Sequence, residues 1–292
     1  GEIQCDYIYG LREAVLDSVC RKPSIVLIDN DRVALNNAKE QSVYSCLHEL
    51  FVKSDVRYQQ LLHDSDALGF CLSLACAQLD KLRDANPDAG GLVVASSIAH
   101  AEKIAGMLRD DFGKSAIVVT YKHKNAGMII DNYRRGTQEW IVSVGMISEG
   151  TDIPRLQVCC HLSRITTELY FRQVLGRILR ITERCGAEAW LYTFAEPQLV
   201  EFSYRIKEEI PFSSVLRFEH RSADMQYVNL DLNASDSSGK KHRNVCKAPE
   251  QHDSKMWFTE GSNSGIIAPL IDDSYTLECL GKFRQRLVGL TF

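Results

Sequence analysis

The residues best suited to chemistry lie close together near the middle of the chain. Gly176, Arg177 and Arg180 lie three, four and seven positions after Gln173, which on a helix places all four on one face. Gly176 leaves room for another surface to approach the polar groups. An arginine guanidinium is always charged and forks onto phosphate oxygens, so this face suits a phosphate ligand. The alternative is a helix whose arginines are solvated or paired with neighbouring carboxylates.

A second candidate stretch, residues 143–154, reads SVGMISEGTDIP and follows an apolar run. Gly150 allows a tight turn and a close backbone approach to a ligand, and Pro154 ends the loop with a fixed φ. Asp152 is a carboxylate that can accept hydrogen bonds from a ligand or from arginines. The alternative role of Asp152 is to cap the turn. Glu149, in the same loop, is equally well explained as a residue that couples the site or as a solvated carboxylate.

Small and basic residues near the strand ends are candidates for phosphate contacts. Ser96 and Ser143 stand at the ends of predicted strands, where hydroxyls and free backbone N–H groups can bind a nucleic-acid phosphate. Turn formation explains either serine equally well. Arg155, just after the candidate loop, is a third candidate.

These stretches together resemble the second RecA-like domain of superfamily 2 helicases of the DEAD/DEAH-box type, above all the branch with excision-repair and restriction-subunit-like members. Residues 143–154 are similar to motif V of that family, and Gln173–Arg180 is similar to motif VI. Leu92–Ser97 stands where motif IV belongs. The resemblance covers roughly residues 70–195.

The resemblance implies roles for the candidate residues. Arg177 and Arg180 would be catalytic fingers that reach a nucleotide held by another domain, and Gln173 would help to couple the site. Gly150 and Asp152 would lie at the nucleotide, with the carboxylate near the ribose or the arginines. ATP and Mg²⁺ are the implied cofactors, bound mainly by an N-terminal RecA-like domain of the same parent chain.

The resemblance also implies a partner and a fold. The partner is nucleic acid, with DNA favoured over RNA, and Ser96, Ser143 and Arg155 are the expected contacts. The fold class is α/β: a RecA-like parallel sheet with helices on both faces, an N-terminal helical and linker segment, and a C-terminal extension.

Two motifs of a complete motor are missing from the sequence. A superfamily 2 motor needs a phosphate-loop lysine and a DExx carboxylate pair, and neither is present. Residues 113–115 (GKS) lack the earlier glycine of a phosphate loop and stand between a helix and a strand, in the wrong order. The apolar run ending at Asp29 and Asp31 resembles a magnesium-binding strand, but a strand followed by a turn explains it as well. We therefore expect half of a composite ATPase site.

The elements that hold these residues alternate between short apolar runs and amphipathic stretches. The predicted strands are 24–29, 92–96, 116–121, 140–145, 157–162 and 189–194, and the predicted helices are 68–82, 99–112, 126–135 and 167–179. This alternation is typical of a parallel sheet covered on both faces. Ligands of such sheets bind outside the carboxyl ends of the strands, so we expect the site there.

Composition and pattern divide the chain into three zones. Residues 1–88 are interpreted as the end of a missing first motor domain, a linker and leading helices, and residues 89–195 as the RecA-like domain. Residues 196–292 form an extension with a mobile polar loop near 233–255. The apolar spacing of Tyr275–Leu290 predicts a helix at its end.

Composition also excludes several classes of protein. Of the 292 residues, 45% are hydrophobic and 25% are charged, which excludes a disordered or fibrous chain. No apolar run approaches the ~18 residues of a membrane helix, and no secretory signal is visible, so we expect no membrane partner. Residues 90–182 hold 12 Lys and Arg against 8 Asp and Glu, within a chain of net charge -4. A basic middle permits polyanion binding on one face.

The ten cysteines include no CxxC pair, and Cys71, Cys76, Cys159 and Cys160 lie in apolar stretches. Reduced, buried thiols explain them better than disulfides or a metal site, which indicates a reducing cytosol. A His and Cys cluster at 242–252 lacks paired metal-ligand spacing, so we assign no metal.

We interpret the chain as the C-terminal motor half of an ATP-dependent, cytoplasmic helicase or translocase. The intact parent would be a nucleoside-triphosphate hydrolase, whereas this chain alone would be inactive. The alternative is a non-catalytic RecA-like module that binds nucleic acid or protein, which the intact Gln173, Arg177 and Arg180 disfavour. A restriction-type nuclease needs clustered acidic and lysine residues, and the nearest candidates have poor spacing: Asp272, Asp273, Glu278 and Lys282.

Overall fold

Strands and helices alternate through most of this computed structural model, which describes residues 10–37, 40–145, 152–181, 188–210, 215–219, 227–229 and 275–289. The strands are β1 (Lys22–Asn30), β2 (Val33–Asn37), β3 (Gln41–Tyr44), β4 (Gly90–Ala95), β5 (Ala116–Thr120), β6 (Trp140–Val144), β7 (Leu156–Leu162), β8 (Glu188–Phe194), β9 (Val215–Glu219), β10 (Tyr227–Asn229), β11 (Tyr275–Cys279) and β12 (Phe283–Val288). The helices are α1 (Leu11–Leu16), α2 (Leu47–Lys53), α3 (Tyr58–Leu61), α4 (Ser65–Ala85), α5 (Ile98–Asp110), α6 (Ala126–Arg135), α7 (Glu168–Ile178) and α8 (Pro197–Glu209).

A nine-stranded sheet of order β10-β9-β12-β1-β8-β7-β4-β6-β5 forms the centre of the fold. Its six strands from β1 to β5 in that order are mutually parallel. The other three strands extend the sheet beyond β1 by antiparallel pairing. β11, β2 and β3 form a separate small sheet. The predicted RecA-like α/β fold with helices on both faces is confirmed.

The two faces of the large sheet bury different sets of side chains. Along β4, Val93 and Ala95 face the cluster formed with α4 and α5, whereas Leu92 and Val94 face the cluster formed with α6, α7 and α8. Side chains of a strand point alternately to its two sides, so one apolar run serves both clusters. Every residue of β7 is buried, as expected for a central strand of a parallel sheet.

The predicted strands and helices between residues 24 and 194 are confirmed with small shifts at their ends. α8 was not predicted, because the alternation of the sequence fails after Glu196. Its start nevertheless carries a recognisable signal. The Glu196 carboxylate accepts a hydrogen bond from the Leu199 N–H at 2.9 Å, and Pro197 occupies the first turn.

The predicted helix over Tyr275–Leu290 is wrong, because this stretch forms β11 and β12. β11 pairs with β2 and β12 pairs with β1, both antiparallel. The chain turns between them at Gly281, where a Cβ atom would lie 2.1 Å from an Asp31 carboxylate oxygen. The apolar spacing fitted a helix, but pairing with strands some 250 residues earlier determines the structure.

The two sequence stretches rejected as phosphate or magnesium motifs have structural roles. Asp29 Oδ1 accepts the Leu47 N–H at 2.8 Å at the start of α2, and Asp31 accepts the Lys282 N–H at 2.6 Å. Lys114 lies between α5 and β5 and pairs with Asp80 at 2.5 Å.

The zone expected to precede the RecA-like domain contributes to its sheet. β1 lies between β8 and β12, and all described residues belong to one compact unit. The three-zone division itself stays a prediction. The polar loop at 233–255 and the cluster at 242–252 lie outside the described residues.

The described residues contain neither a membrane-spanning helix nor a cluster of metal-binding side chains. None of the described helices combines the length and the apolar character needed to cross a bilayer. Within the same residues, no three His, Cys, Asp or Glu side chains converge closely enough to hold a metal ion. The seven cysteines there are free thiols, and Cys71, Cys76, Cys159 and Cys160 are buried as predicted.

Candidate functional site

α7 carries the candidate glutamine and one of the candidate arginines. Phe171, Val174, Leu175 and Ile178 bury one stripe of this helix against the sheet, and Gln173, Gly176 and Arg177 lie half-buried on its flank. The expectation that Arg180 shares this helical face is wrong. The helix ends at Ile178, and Arg180 instead forms a single antiparallel backbone pairing with Cys20.

Arg180 and Asp152 form an ion pair at the surface. Nη1 of the arginine contacts Oδ1 of the carboxylate, and the two side chains are 45% and 59% exposed. The structure thus brings together two of the predicted site residues from segments 28 positions apart. An exposed pair of this kind contributes only about 0–1 kcal/mol to stability. Arg180 can therefore exchange its partner for another anion at little cost.

The pair lies at the amino edge of the sheet, not at the carboxyl edge where we expected the site. Asp152 shortly precedes the first residue of β7, and Arg180 follows a helix that runs back along the sheet. Because α7 connects the carboxyl end of β7 to the amino end of β8, its last residues reach the amino edge. Ser96 and Ser143 lie near the opposite edge.

Arg21 contacts the two segments that carry the ion pair, and the sequence analysis did not identify it as a site residue. Its side chain is fully buried, and its guanidinium donates to three carbonyl oxygens: Leu156 at 2.7 Å, Ile178 at 2.9 Å and Pro154 at 2.9 Å. Two of these carbonyls belong to the segment that follows Asp152, and the third ends α7. The residues joined are 133 to 157 positions apart, so local pattern gave no signal.

Arg155, which was predicted to contact a phosphate, does not reach the surface. Its side chain is 6% exposed, and its guanidinium donates to the carbonyl oxygens of Asp88 at 2.7 Å, Tyr133 at 2.9 Å and Gln138 at 2.9 Å. The cation also lies 4.6 Å from the centre of the Tyr133 ring. The predicted phosphate contact is therefore wrong, and Arg155 instead joins three segments at the amino edge.

Ser96 is hydrogen-bonded to His100. The Ser96 N–H donates to His100 Nδ1 at 3.2 Å, and Ser96 Oγ lies 2.8 Å from the same nitrogen. Burial, together with the charges of His63 and Lys103, lowers the pKa of His100 to about 3, so the ring is neutral at pH 7. The backbone N–H expected to meet a phosphate is thus already bonded.

Ser143 is buried in the sheet and does not reach the surface. Its Oγ has no hydrogen-bond partner among the residues that the structure describes. Val94 pairs with Ser143 on one side and His161 on the other, so all three lie level across neighbouring strands. Burial lowers the pKa of His161 to about 4. The predicted phosphate contact through the Ser143 side chain is wrong.

The carboxyl edge presents exposed basic residues that the sequence reasoning did not single out. Residues 121–124, which read YKHK and directly follow β5, are all exposed, and the Tyr121 side chain is 67% exposed. Arg164, which follows β7, is exposed as well. An aromatic ring among cations is a combination that binds nucleic acid. The interleaving of Tyr121 with Lys122 and Lys124 was the signal available in the sequence.

Part of the predicted site cannot be placed. Gly150 and Glu149 lie outside the described residues, which stop at Gly145 and resume at Asp152. Their roles stay predictions, as do those of Gln173 and Arg177 toward a nucleotide.

The fold and the site define an α/β domain of the RecA-like class. Residues 74–182 match the family of the helicase conserved C-terminal domain, a range that includes Asp152, Arg177 and Arg180. This match agrees with the resemblance drawn from the motifs of the same stretch.

A curated relative and two solved structures are similar to the chain. "Uncharacterized protein Rv2917" of Mycobacterium tuberculosis is 29% identical over 223 residues, which are 75% of this chain and 36% of the relative. A fragment of a putative HsdR subunit of a type I restriction enzyme from Vibrio vulnificus has a TM-score of 0.46 at 13% identity, covering 68% of this chain and 36% of that one. S. cerevisiae Dbp5 bound to RNA and ADP BeF3 has a TM-score of 0.39 at 14% identity, covering 51% and 37%.

The chain spans about a third of the length of the curated relative that it matches.

Proposed function

We propose that the chain is the C-terminal motor half of an ATP-dependent nucleic-acid helicase or translocase. In this proposal it supplies arginine fingers and nucleic-acid contacts to a composite ATPase site. The observation that carries the proposal is the exposed Arg180–Asp152 pair at the end of α7, within a helicase C-terminal domain.

The geometry of the pair suits a finger. A phosphoryl group in transfer gains charge on its outer oxygens, and a guanidinium stabilises that charge best where it is already held in place before the reaction. Arg180 is held near the surface by a carboxylate, so a nucleotide on an apposed domain can replace that partner. Asp152 would then be released toward the ribose, where a carboxylate accepts hydroxyl hydrogen bonds.

ATP and Mg²⁺ would be held mainly by the other half of the site. Mg²⁺ is bound through carboxylates and substrate phosphates, and the sequence contains neither a phosphate-loop lysine nor a DExx pair. The residues of this chain that fit the nucleotide are Arg177, Arg180, Asp152, Gly150 and, as a coupling residue, Gln173. By itself the chain would hydrolyse ATP negligibly.

Nucleic acid would bind at the carboxyl edge. The support is the exposed run Tyr121–Lys124, together with Arg164, on a chain whose middle part is basic. A few cations that contact the phosphate backbone of the nucleic acid give weak, salt-sensitive binding without sequence preference. DNA as the favoured track and a cytoplasmic location are parts of the proposal, and the free cysteines support the location.

The test is the ATPase rate of the intact parent protein with and without nucleic acid, for the wild type and for Arg180→Ala. The proposal expects stimulation by nucleic acid in the wild type and a loss of kcat of about 10³-fold or more in the variant. Arg172→Ala is the matched control, because Arg172 lies on α7 but pairs with Glu168 at 3.0 Å and Glu209 at 2.6 Å.

The outcomes separate the proposal from its alternative. Arg172→Ala should keep its kcat, while melting curves show both variants folded. An intact parent that binds nucleic acid but hydrolyses no ATP would support the non-catalytic module. Equal losses in Arg180→Ala and Arg172→Ala would show that α7 is merely sensitive to any loss of charge.

A further inference from the structure

We propose that Arg21 is a positioning residue for the arginine finger. The inference rests on the proposed function, because it names the residue that fixes the geometry of the same site. Arg21 belongs to the segment before β1, and its side chain is fully buried. Its effect would pass through the backbone of the two segments that carry Asp152 and Arg180.

The side chain of Arg21 joins these two segments at their roots. It donates to the carbonyls of Pro154 and Leu156, two and four residues after Asp152, and to the carbonyl of Ile178, two residues before Arg180. The planar fork can reach three carbonyls at once, which the single ammonium of a lysine cannot reproduce with the same geometry. One guanidinium therefore links the two segments directly.

The helix end explains why a buried cation is stable at this position. The last four carbonyls of an α-helix lack partners within the helix and carry a partial negative charge. Ile178 is the last residue of α7, and its carbonyl is one of these groups. Arg21 satisfies it and interacts favourably with the helix dipole. The same contact fixes where α7 ends, and hence the position of Arg180 two residues later.

Backbone pairing adds a second constraint on Arg180. The Arg21 N–H donates to the Leu179 carbonyl at 2.7 Å, and Cys20 pairs with Arg180. Arg180 is thus held by the main chain on one side and by the Asp152 carboxylate on the other. A shift of residues 20–21 would move the finger with them.

Arg155 is the matched control. It is also buried, also donates to three carbonyls at 2.7 to 2.9 Å, and also lies at the amino edge. Arg155 also belongs to the segment that follows Asp152, but its carbonyl partners are Asp88, Tyr133 and Gln138, none of which lies near Arg180 in the sequence. Both arginines therefore anchor the segment of Asp152, and only Arg21 joins it to the segment of Arg180.

The experiment measures steady-state ATPase of the intact parent protein carrying Arg21→Lys or Arg155→Lys. We expect Arg21→Lys to lower kcat by about tenfold to a hundredfold while KM for ATP changes less than about threefold, since small misplacements act on the transition state. The double variant Arg21→Lys with Arg180→Ala should be no slower than Arg180→Ala alone. Arg155→Lys should lower the melting temperature but leave kcat within about threefold of the wild type.

A kcat loss in Arg155→Lys equal to that in Arg21→Lys would overturn the proposal, as would additive losses in the double variant. A second measurement needs no substitution. In the wild-type parent, hydrogen exchange should show the amide of Arg21 and those of residues 178–181 opening together, and separate opening would contradict the proposed linkage. This measurement does not depend on ATPase activity, so it tests Arg21 even if the proposed function fails.

Discussion

The two edges of the parallel sheet hold their polar groups in opposite ways. At the amino edge, the charged pair Arg180–Asp152 is exposed and rests on a buried arginine. At the carboxyl edge, the hydroxyls of Ser96 and Ser143 are tied to an imidazole or buried, and the exposed groups are the cations of a loop. The amino edge thus presents a guanidinium placed by an ion pair, whereas the carboxyl edge presents several cations that pair with no carboxylate among the described residues.

The difference indicates different work for the two edges. A transition state is stabilised best by a charge at a fixed position, because electrostatic stabilisation depends on donors that need no rearrangement. A nucleic-acid backbone is bound well by several mobile cations, because this binding is driven by counterion release. Under the proposed function, variants at the amino edge should change kcat and variants at the carboxyl edge should change affinity.

The largest expected effect is that of Arg177→Ala in the intact parent. We expect kcat to fall about 10³-fold or more, with fold and nucleotide affinity nearly unchanged, because a finger acts mainly on the transition state. Arg177→Lys should also lose most of the activity, since an ammonium does not reproduce the planar fork. Steady-state kinetics with melting curves measure this. Wild-type kcat in Arg177→Ala would refute the assignment to motif VI.

At the carboxyl edge, Tyr121→Ala and the pair Lys122→Ala with Lys124→Ala should weaken nucleic-acid binding. Loss of a stacked ring costs about 1–3 kcal/mol on single strands, and each lost phosphate contact lowers the log–log salt slope by about 1. Fluorescence titrations at several salt concentrations measure both. The kcat at saturating nucleic acid should stay near wild type. Unchanged affinity in all variants would remove this loop from the nucleic-acid site.

Stability should fall in mild acid because of two buried histidines on opposite faces of the sheet. Burial lowers the pKa of His161 to about 4 and that of His100 to about 3, against about 6.5 in an unfolded chain. Between these values the unfolded state binds more protons than the folded state. The stabilisation is therefore complete above about pH 6.5 and falls, by about 1.4 kcal/mol per pH unit for each histidine, as pH drops toward 4.

Denaturant unfolding of the chain between pH 7.5 and pH 4.5 measures this slope. His161→Leu should remove about half of it, because the apolar site at β7 remains filled while one titrating group is lost. The same slope in the variant and in the wild type would show that His161 does not titrate with folding.

Local pattern was sufficient for most strands of the parallel sheet and for several of the helices that cover it. The apolar run of β7 and the amphipathic stretch of α6 were predicted almost to the residue, because periodicity and burial there reflect the same sheet. The pairing of Arg180 with Asp152 was one of the two positions that the resemblance implied for that carboxylate. Residue periodicity predicted these elements, whereas the resemblance predicted the pair.

The errors about the two buried arginines involve partners distant in sequence. Arg21 was not singled out and Arg155 was predicted to contact phosphate, yet their carbonyl partners lie up to 157 and 67 positions away. The sequence at the end of α7 contains no glycine or proline that would predict where the helix stops. The helix stops where its last residues contact Cys20 and Arg21. Buried arginines that bind carbonyls are therefore the feature that sequence reasoning missed at the amino edge.

The smallest expected effect concerns Ser143, and it separates a buried hydroxyl from a functional one. Ser143→Ala removes an oxygen that has no hydrogen-bond partner among the described residues, so stability should stay level or rise by up to about 1 kcal/mol. Ser203→Ala is the control, because the Ser203 hydroxyl is also buried but donates to the Leu199 carbonyl at 2.7 Å. That variant should lose about 1 kcal/mol. Equal destabilisation of both in denaturant unfolding would mean that Ser143 has a partner in the folded protein, and weaker nucleic-acid binding by Ser143→Ala would restore it to the site.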